Sequence, residues 1–98
     1  MAYTFKNARY QAELQYFAGS VFEEYPTIDE ARKGAVKLAK EYHSIVYIST
    51  LYGDYQLIGK VMGHTVGNHD VWFYESYTPS GTTKDLKKFN PKTGKLKR

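Results

Sequence analysis

One local cluster of this sequence carries groups that could bind a metal or transfer a proton: His64, His69 and Asp70. Two imidazoles five positions apart and a carboxylate could meet in a loop that contains Gly63 and Gly67. A structural zinc site takes four ligands, and the chain has no cysteine to complete the set. We therefore predict a loop without a metal role, no cofactor and no catalytic residues. An enzyme that uses this cluster is the most distant alternative.

Basic side chains form the second chemical pattern, because half of them fall in the last fifteen positions. The net charge of the chain is +4. Residues 84–98 carry a charge of +6, so residues 1–83 carry −2. Lysine and arginine neutralise phosphates and release counterions, so they bind nucleic acid with little sequence preference. We predict a flexible basic tail that binds nucleic acid or another acidic surface, with one phenylalanine for base stacking. The candidate contact residues are Lys84, Lys87, Lys88, Phe89, Lys92, Lys95, Lys97 and Arg98.

A basic helix face could extend the positive potential of this tail if the two lie on the same side. Its members are Arg32, Lys33, Lys37 and Lys40.

A tyrosine-rich sheet surface is the third candidate, since the chain has ten tyrosines. Tyr47 and Lys60, together with Tyr16, Tyr52 or Tyr74, could stack and hold single-stranded nucleic acid. The same surface could dock a protein instead. The alternative function is thus a protein-interaction module, such as a small inhibitor or adaptor of the kind that phages and mobile elements encode.

The length and composition fit one small domain of 98 residues. The absence of cysteine excludes disulfides and fits a reducing compartment. The N-terminus has no apolar signal region, and no apolar run approaches the roughly 20 residues that a membrane helix needs. We expect a cytoplasmic protein without a membrane partner or a small-molecule substrate.

One amphipathic helix is predicted over residues 28–42. Thr27 and Glu30 have the spacing of a capping box, and Pro26 precedes them. Gly34 inside the helix costs about 1 kcal/mol relative to alanine, which indicates close packing against a sheet. The apolar residues recur at helical spacing, at Ile28, Ala31, Ala35, Leu38, Ala39 and Tyr42.

Strands are predicted on both sides of this helix. Residues 45–52 and 55–62 flank Gly53-Asp54 and form a hairpin. Its register pairs Val46 with Val61, Ile48 with Gly59 and Thr50 with Leu57 on the face that suits the core, and Tyr47 with Lys60 and Ser49 with Ile58 on the other face. Residues 71–77 form a further strand. Residues 8–25 fit either a helix or a hairpin that turns at Gly19-Ser20, and the alternation favours the hairpin.

The predicted fold is α+β, with an antiparallel sheet of about five strands, one helix on one face and the order ββαβββ. Residues 1–83 form the domain, and residues 84–98 form the flexible tail, whose deletion should leave the domain stable. Large apolar residues at Leu86, Phe89 and Leu96 leave one alternative open, a short docking segment over 85–89.

Overall fold

The computed structural model of the chain describes residues 9–16, 19–51, 56–66 and 69–97. In these ranges the protein has the predicted α+β fold, one helix packed on an antiparallel sheet. The sheet has six strands within the described ranges, one more than predicted, and the chain order is ββαββββ. The elements are β1 (Tyr10–Tyr16), β2 (Gly19–Tyr25), α1 (Ile28–Tyr42), β3 (Val46–Thr50), β4 (Leu57–Val66), β5 (His69–Tyr77) and β6 (Thr83–Lys88).

The strands lie in the order β2-β1-β3-β4-β5-β6, so the two edges of the sheet are β2 and β6. Every neighbouring pair is antiparallel. The helix carries the chain from β2 across β1 to β3 and packs against β1, β2, β3 and β4. One face of the sheet is thereby covered by α1, whereas no element of the described ranges covers the other. We call the second one the uncovered face.

The helix spans the residues that the periodicity predicts, Ile28–Tyr42. The Thr27 side chain accepts a hydrogen bond of 3.1 Å from the backbone N–H of Glu30, as the capping spacing predicts. His43 adopts the left-handed conformation at φ 52°, and its N–H donates to the Ala39 carbonyl. This conformation ends the helix, since the chain can no longer continue the helical path.

Gly34 allows α1 to approach β2 closely, which confirms the packing that a helical glycine indicates. A Cβ at this position would overlap with the ring and hydroxyl of Tyr25. The Tyr25 hydroxyl donates a hydrogen bond of 2.8 Å to the Glu23 carboxylate. Burial is the main cause that raises the pKa of Tyr25. A larger residue at Gly34 would therefore displace the tyrosine or the helix.

The N-terminal segment is a hairpin, as its alternation favours. Ala12 and Leu14 on β1 face the helix and are fully buried. The predicted turn at Gly19-Ser20 is wrong, because both residues belong to β2 and Gly19 lies opposite Tyr16. Strand pairing continues past the glycine, and the connection is made by the two residues after Tyr16, which lie outside the described ranges.

The central hairpin begins in the predicted register. The predicted partners are found at three positions, Val46 with Val61, Tyr47 with Lys60 and Ile48 with Gly59. After Ile48 the register shifts by one residue, so that Ser49 lies opposite Leu57 and not opposite Ile58. Such a bulge reverses the face to which the following residues point. Leu57, predicted for the core, is 43% exposed. The predicted turn at 53–54 lies outside the described residues.

The predicted loop with two histidines is the end of another hairpin. β4 continues to Val66 and β5 begins at His69, opposite it. The connection is therefore residues 67–68 alone, which lie outside the described ranges. The prediction of a loop over 63–70 is wrong, since both strands extend further than their apolar runs.

The core lies between α1 and the covered face of the sheet. Small side chains at Ala31, Ala35 and Ala39 let the helix lie close to the strands. Burying a large apolar side chain contributes about 1.5–3 kcal/mol. The largest fully buried side chains are Phe89, Leu14, Ile48, Val46 and Val61.

Residues 84–97, which we call the C-terminal basic segment, belong to the fold, so the prediction of a flexible tail is wrong. β6 pairs with β5, from Thr83 opposite Tyr77 to Lys88 opposite Phe73. The predicted domain boundary after residue 83 falls inside this strand. β6 pairs with the outer edge of β5, and Phe89 anchors it in the core. The structure supports the alternative of a docking segment, and deletion of residues 84–98 can no longer be expected to leave stability unchanged.

Candidate nucleic-acid interface

Phe89 fixes the C-terminal basic segment to the core. Its side chain is 1% exposed, and its backbone N–H donates to the Trp72 carbonyl at 3.0 Å. A ring buried in this way has no free face for a nucleic-acid base. The predicted stacking role of Phe89 is therefore wrong, and the residue acts as an anchor.

Residues 90–97 turn back along the end of β6. The Asn90 N–H donates to the Lys95 carbonyl at 2.9 Å, and the Lys97 N–H donates to the Lys88 carbonyl at 2.9 Å. These backbone bonds give the lysines that follow β6 defined positions on the surface.

Arg32 joins this return to the helix. Its Nε donates to the Gly94 carbonyl at 2.6 Å, and its guanidinium forms an ion pair with Asp29. The guanidinium carbon lies 5.1 Å from the centroid of the Tyr74 ring, a cation–π distance. Burial lowers the pKa of Arg32, and the Asp29 charge opposes that shift. Arg32 is only 4% exposed, so its predicted contact with phosphate is wrong.

Gly94 lies directly against the first turn of the helix. It has a φ of 79°, and a Cβ at this position would overlap with the Asp29 carbonyl. Both the backbone conformation and the space exclude other residues. The glycine thus lets the C-terminal basic segment contact the helix that carries Arg32.

The lysines of this segment point to solvent. All six in residues 84–97 are exposed, and Asp85 is the only acidic residue among them. Arg98 lies outside the described residues. The exposed lysines are Lys84, Lys87, Lys88, Lys92, Lys95 and Lys97.

The exposed lysines of α1 border the same region. Lys33, Lys37 and Lys40 line a cleft of 480 Å³ together with Pro91 of the C-terminal turn and with the acidic residues Glu23 and Glu30. Within this set Lys33 is paired with Glu30 at 3.9 Å. Pro91 belongs to the C-terminal basic segment and lines this cleft, so the helix lysines adjoin that segment. We call the exposed lysines of the segment and of the helix the lysine surface.

The predicted tyrosine platform is smaller than expected. Tyr47 is 40% exposed on the uncovered face, with Lys60 opposite it on β4. Tyr74 points to the helix and is 4% exposed; burial raises its pKa to about 12. The Tyr16 side chain and Tyr52 lie outside what the structure describes. A groove of 520 Å³ runs beside Tyr47, lined by residues of β1, β3 and β4 that include Glu13.

The two histidines of the predicted cluster lie on different strands. His64 pairs with Val71, and its ring meets the edge of Phe73 with centroids 5.5 Å apart. His69 begins β5 opposite Val66. The described residues contain no group of three or more side chains that could hold a metal. His64 therefore packs against a ring on the uncovered face.

Comparison with known proteins gives no relative. No family model matches the chain, and no curated protein or solved structure matches it. Among the described residues no helix is long and apolar enough to cross a membrane. The fold and the lysine surface are therefore the observations from which a function can be inferred.

Proposed function

We propose that this protein is a non-enzymatic binding protein that holds nucleic acid through the lysine surface, with little preference for base sequence. The observation that carries the proposal is that the basic segment is held in place by Phe89 and by the bond from Arg32 to Gly94. Lysines on a fixed backbone lose less conformational entropy on binding than lysines on a flexible tail. They can also contact several phosphates at once, which gives strongly salt-dependent affinity.

Protection of a sheet edge is the competing explanation for these lysines. Edge strands often carry lysine, because the charge prevents pairing with another chain. That role accounts for Lys84, Lys87 and Lys88 on β6. It does not account for the exposed lysines that follow β6, or for those of the helix beside Pro91. The extension of the surface beyond the edge favours a polyanion as the partner.

The test is the affinity for a mixed-sequence fluorescent oligonucleotide, measured by anisotropy at several salt concentrations. We expect log affinity to fall linearly with log salt. Replacing Lys87, Lys92 and Lys95 with glutamine should weaken binding and reduce the slope by about 2 to 3, since each lost phosphate contact removes about 0.7 to 0.9. The matched control replaces the same three residues with arginine, which keeps the charge and should keep the slope.

Two results would contradict the proposal. One is the absence of binding at low salt. The other is equal affinity of the glutamine and arginine variants, provided that circular dichroism shows both to be folded.

A protein-interaction module remains the second candidate, because the uncovered face exposes apolar side chains. Phe22 is 51% exposed, Tyr47 40% and Leu86 56%, and all three point to this face. A pull-down from lysate with and without nuclease, at two salt concentrations, separates the candidates. A partner that persists after nuclease treatment and at high salt supports the module, whereas loss under either condition supports nucleic acid.

A further inference from the structure

The uncovered face of the sheet is divided into two halves of opposite charge. Toward β2 it carries Glu13 on β1 and Glu24 on β2, with Phe22 of β2 directly opposite Glu13. Toward β6 it carries Lys60 and Lys88. A polyanion is repelled by the first half and attracted by the second, so charge complementarity restricts where it can lie.

Glu75 is the one acidic residue on the basic half among the described residues, against the two lysines Lys60 and Lys88. Its carboxylate accepts a hydrogen bond of 2.8 Å from the Thr83 hydroxyl. In the strand register it also lies opposite Lys60. Lys60 in turn lies opposite Tyr47, and its charge opposes the rise in the pKa of Tyr77 that burial causes. The basic half therefore keeps a positive character although it contains one carboxylate.

Aromatic rings lie among these lysines. Phe73 is partly exposed, contacts the ring of His64, and lies opposite Lys88 on β6. Tyr47 is the more exposed ring and lies between Lys60 on β4 and Glu13 on β1, at the border of the two halves. Lys88 belongs both to the lysine surface and to this half of the uncovered face, so the two surfaces meet at the β6 edge, while the helix lysines lie on the other side of the sheet.

We propose that the nucleic acid held by the lysine surface is single-stranded, and that its bases stack on Phe73 and Tyr47 while Lys60 and Lys88 contact its phosphates. This inference rests on the proposed function. In a duplex the bases are stacked on one another and cannot reach side-chain rings, whereas a single strand offers its bases freely. Each stack of a base on an aromatic side chain is worth about 1–3 kcal/mol and does not depend on the base.

The experiment compares a fluorescent oligothymidine of about 20 nucleotides with a duplex of equal length, at one salt concentration. We expect the single strand to bind more tightly. Phe73→Leu keeps apolar volume but removes the ring, and should weaken single-strand binding by about 5- to 150-fold, the equivalent of one lost stack. Duplex binding should not change. The matched control is Phe22→Leu on the acidic half of the same face, which should alter neither affinity.

Phe73 is partly buried, so Tyr47→Leu serves as a second variant with a more exposed ring. If a single strand and a duplex bind equally, and neither ring variant weakens the single strand, the inference is overturned. The proposed function then stands on the lysine variants alone. If neither oligonucleotide binds at low salt, both proposals fail, and a protein becomes the expected occupant of the uncovered face.

Discussion

The two edge strands of the sheet, β2 and β6, are held in place in different ways. β2 pairs with β1 over seven residues and packs Val21 and Tyr25 against the core. All six residues of β6 are exposed, and the anchor lies just after the strand, at Phe89. An edge strand can therefore be built almost entirely of polar residues when one buried ring and a helix contact follow it.

The two edges also differ in charge. β2 carries Glu23 and Glu24, whereas β6 carries Lys84, Lys87 and Lys88. The separation is confined to the two strands, because Glu23 of β2 lines the same cleft as the helix lysines of the lysine surface. Variants that weaken the anchor of β6, and variants that leave it intact, can test whether the difference between the edges is real.

The largest effect is expected from Phe89→Ala. The ring is 1% exposed, so its removal leaves a cavity in the core and should cost about 3–5 kcal/mol. Leu86→Ala is the matched control in the same segment, because Leu86 is 56% exposed and its loss should change stability by less than about 0.5 kcal/mol. Denaturant unfolding measures both. Equal effects would mean that the basic segment is not anchored.

Gly94→Ala should give the next effect. The substitution meets a left-handed backbone conformation and also the carbonyl of Asp29. Gly81→Ala is the control, since Gly81 has a similar φ of 88° but open space around it. We expect Gly81→Ala to cost about 1 kcal/mol and Gly94→Ala clearly more. Thermal unfolding of both variants measures the two losses. A larger loss for Gly81→Ala than for Gly94→Ala would contradict the contact between the segment and the helix.

A further effect should appear at alkaline pH. Tyr74 contacts Arg32 in the core, and burial raises its pKa from 10.0 to about 12. Between these values the unfolded chain releases the phenolic proton and the folded chain retains it, so stability should fall as pH rises through this window. Tyr74→Phe, which has no proton to release, should lose part of this dependence. Urea unfolding at pH 9, 10 and 11 measures it, and identical slopes in both proteins would exclude Tyr74 as a cause.

The smaller effects concern the helix. Thr27→Ala removes the hydrogen bond to the Glu30 N–H and should cost about 0.5–2 kcal/mol. Lys37→Ala, on the exposed side of α1, should lie within about 0.5 kcal/mol. Chemical denaturation compares them. A loss at Lys37 as large as that at Thr27 would show that the helix lysine has a structural role.

The same contrast between the edges explains what the sequence could predict. The helix bounds and the N-terminal strands followed from periodicity and from the capping pair Thr27 and Glu30, because a buried face imposes a regular apolar pattern. β6 has no buried face, so its alternation is absent and its charges resemble those of a solvated tail. The signal for a docked segment was the set of three large apolar residues, Leu86, Phe89 and Leu96.

The remaining errors have local physical causes. No sequence pattern indicates the bulge after Ile48, although the bulge changes the face of the sheet to which Leu57 points. Arg32 resembles its lysine neighbours in charge, but its rigid fork of donors suits a buried site where Asp29 and the Gly94 carbonyl accept from it. The contact between Arg32 and Gly94 joins positions 62 residues apart. A local sequence pattern cannot predict a contact over that separation.

Amide hydrogen exchange in the full chain tests most directly whether the basic segment is a fixed part of the sheet. The N–H groups of Phe89, Asn90 and Lys97 donate to backbone carbonyls at 2.9–3.0 Å. We predict that they exchange far more slowly than in an unstructured peptide, within the range shown by the amides of β1 and β2. Exchange at the unstructured rate in residues 84–97, while β1 and β2 stay protected, would contradict the account.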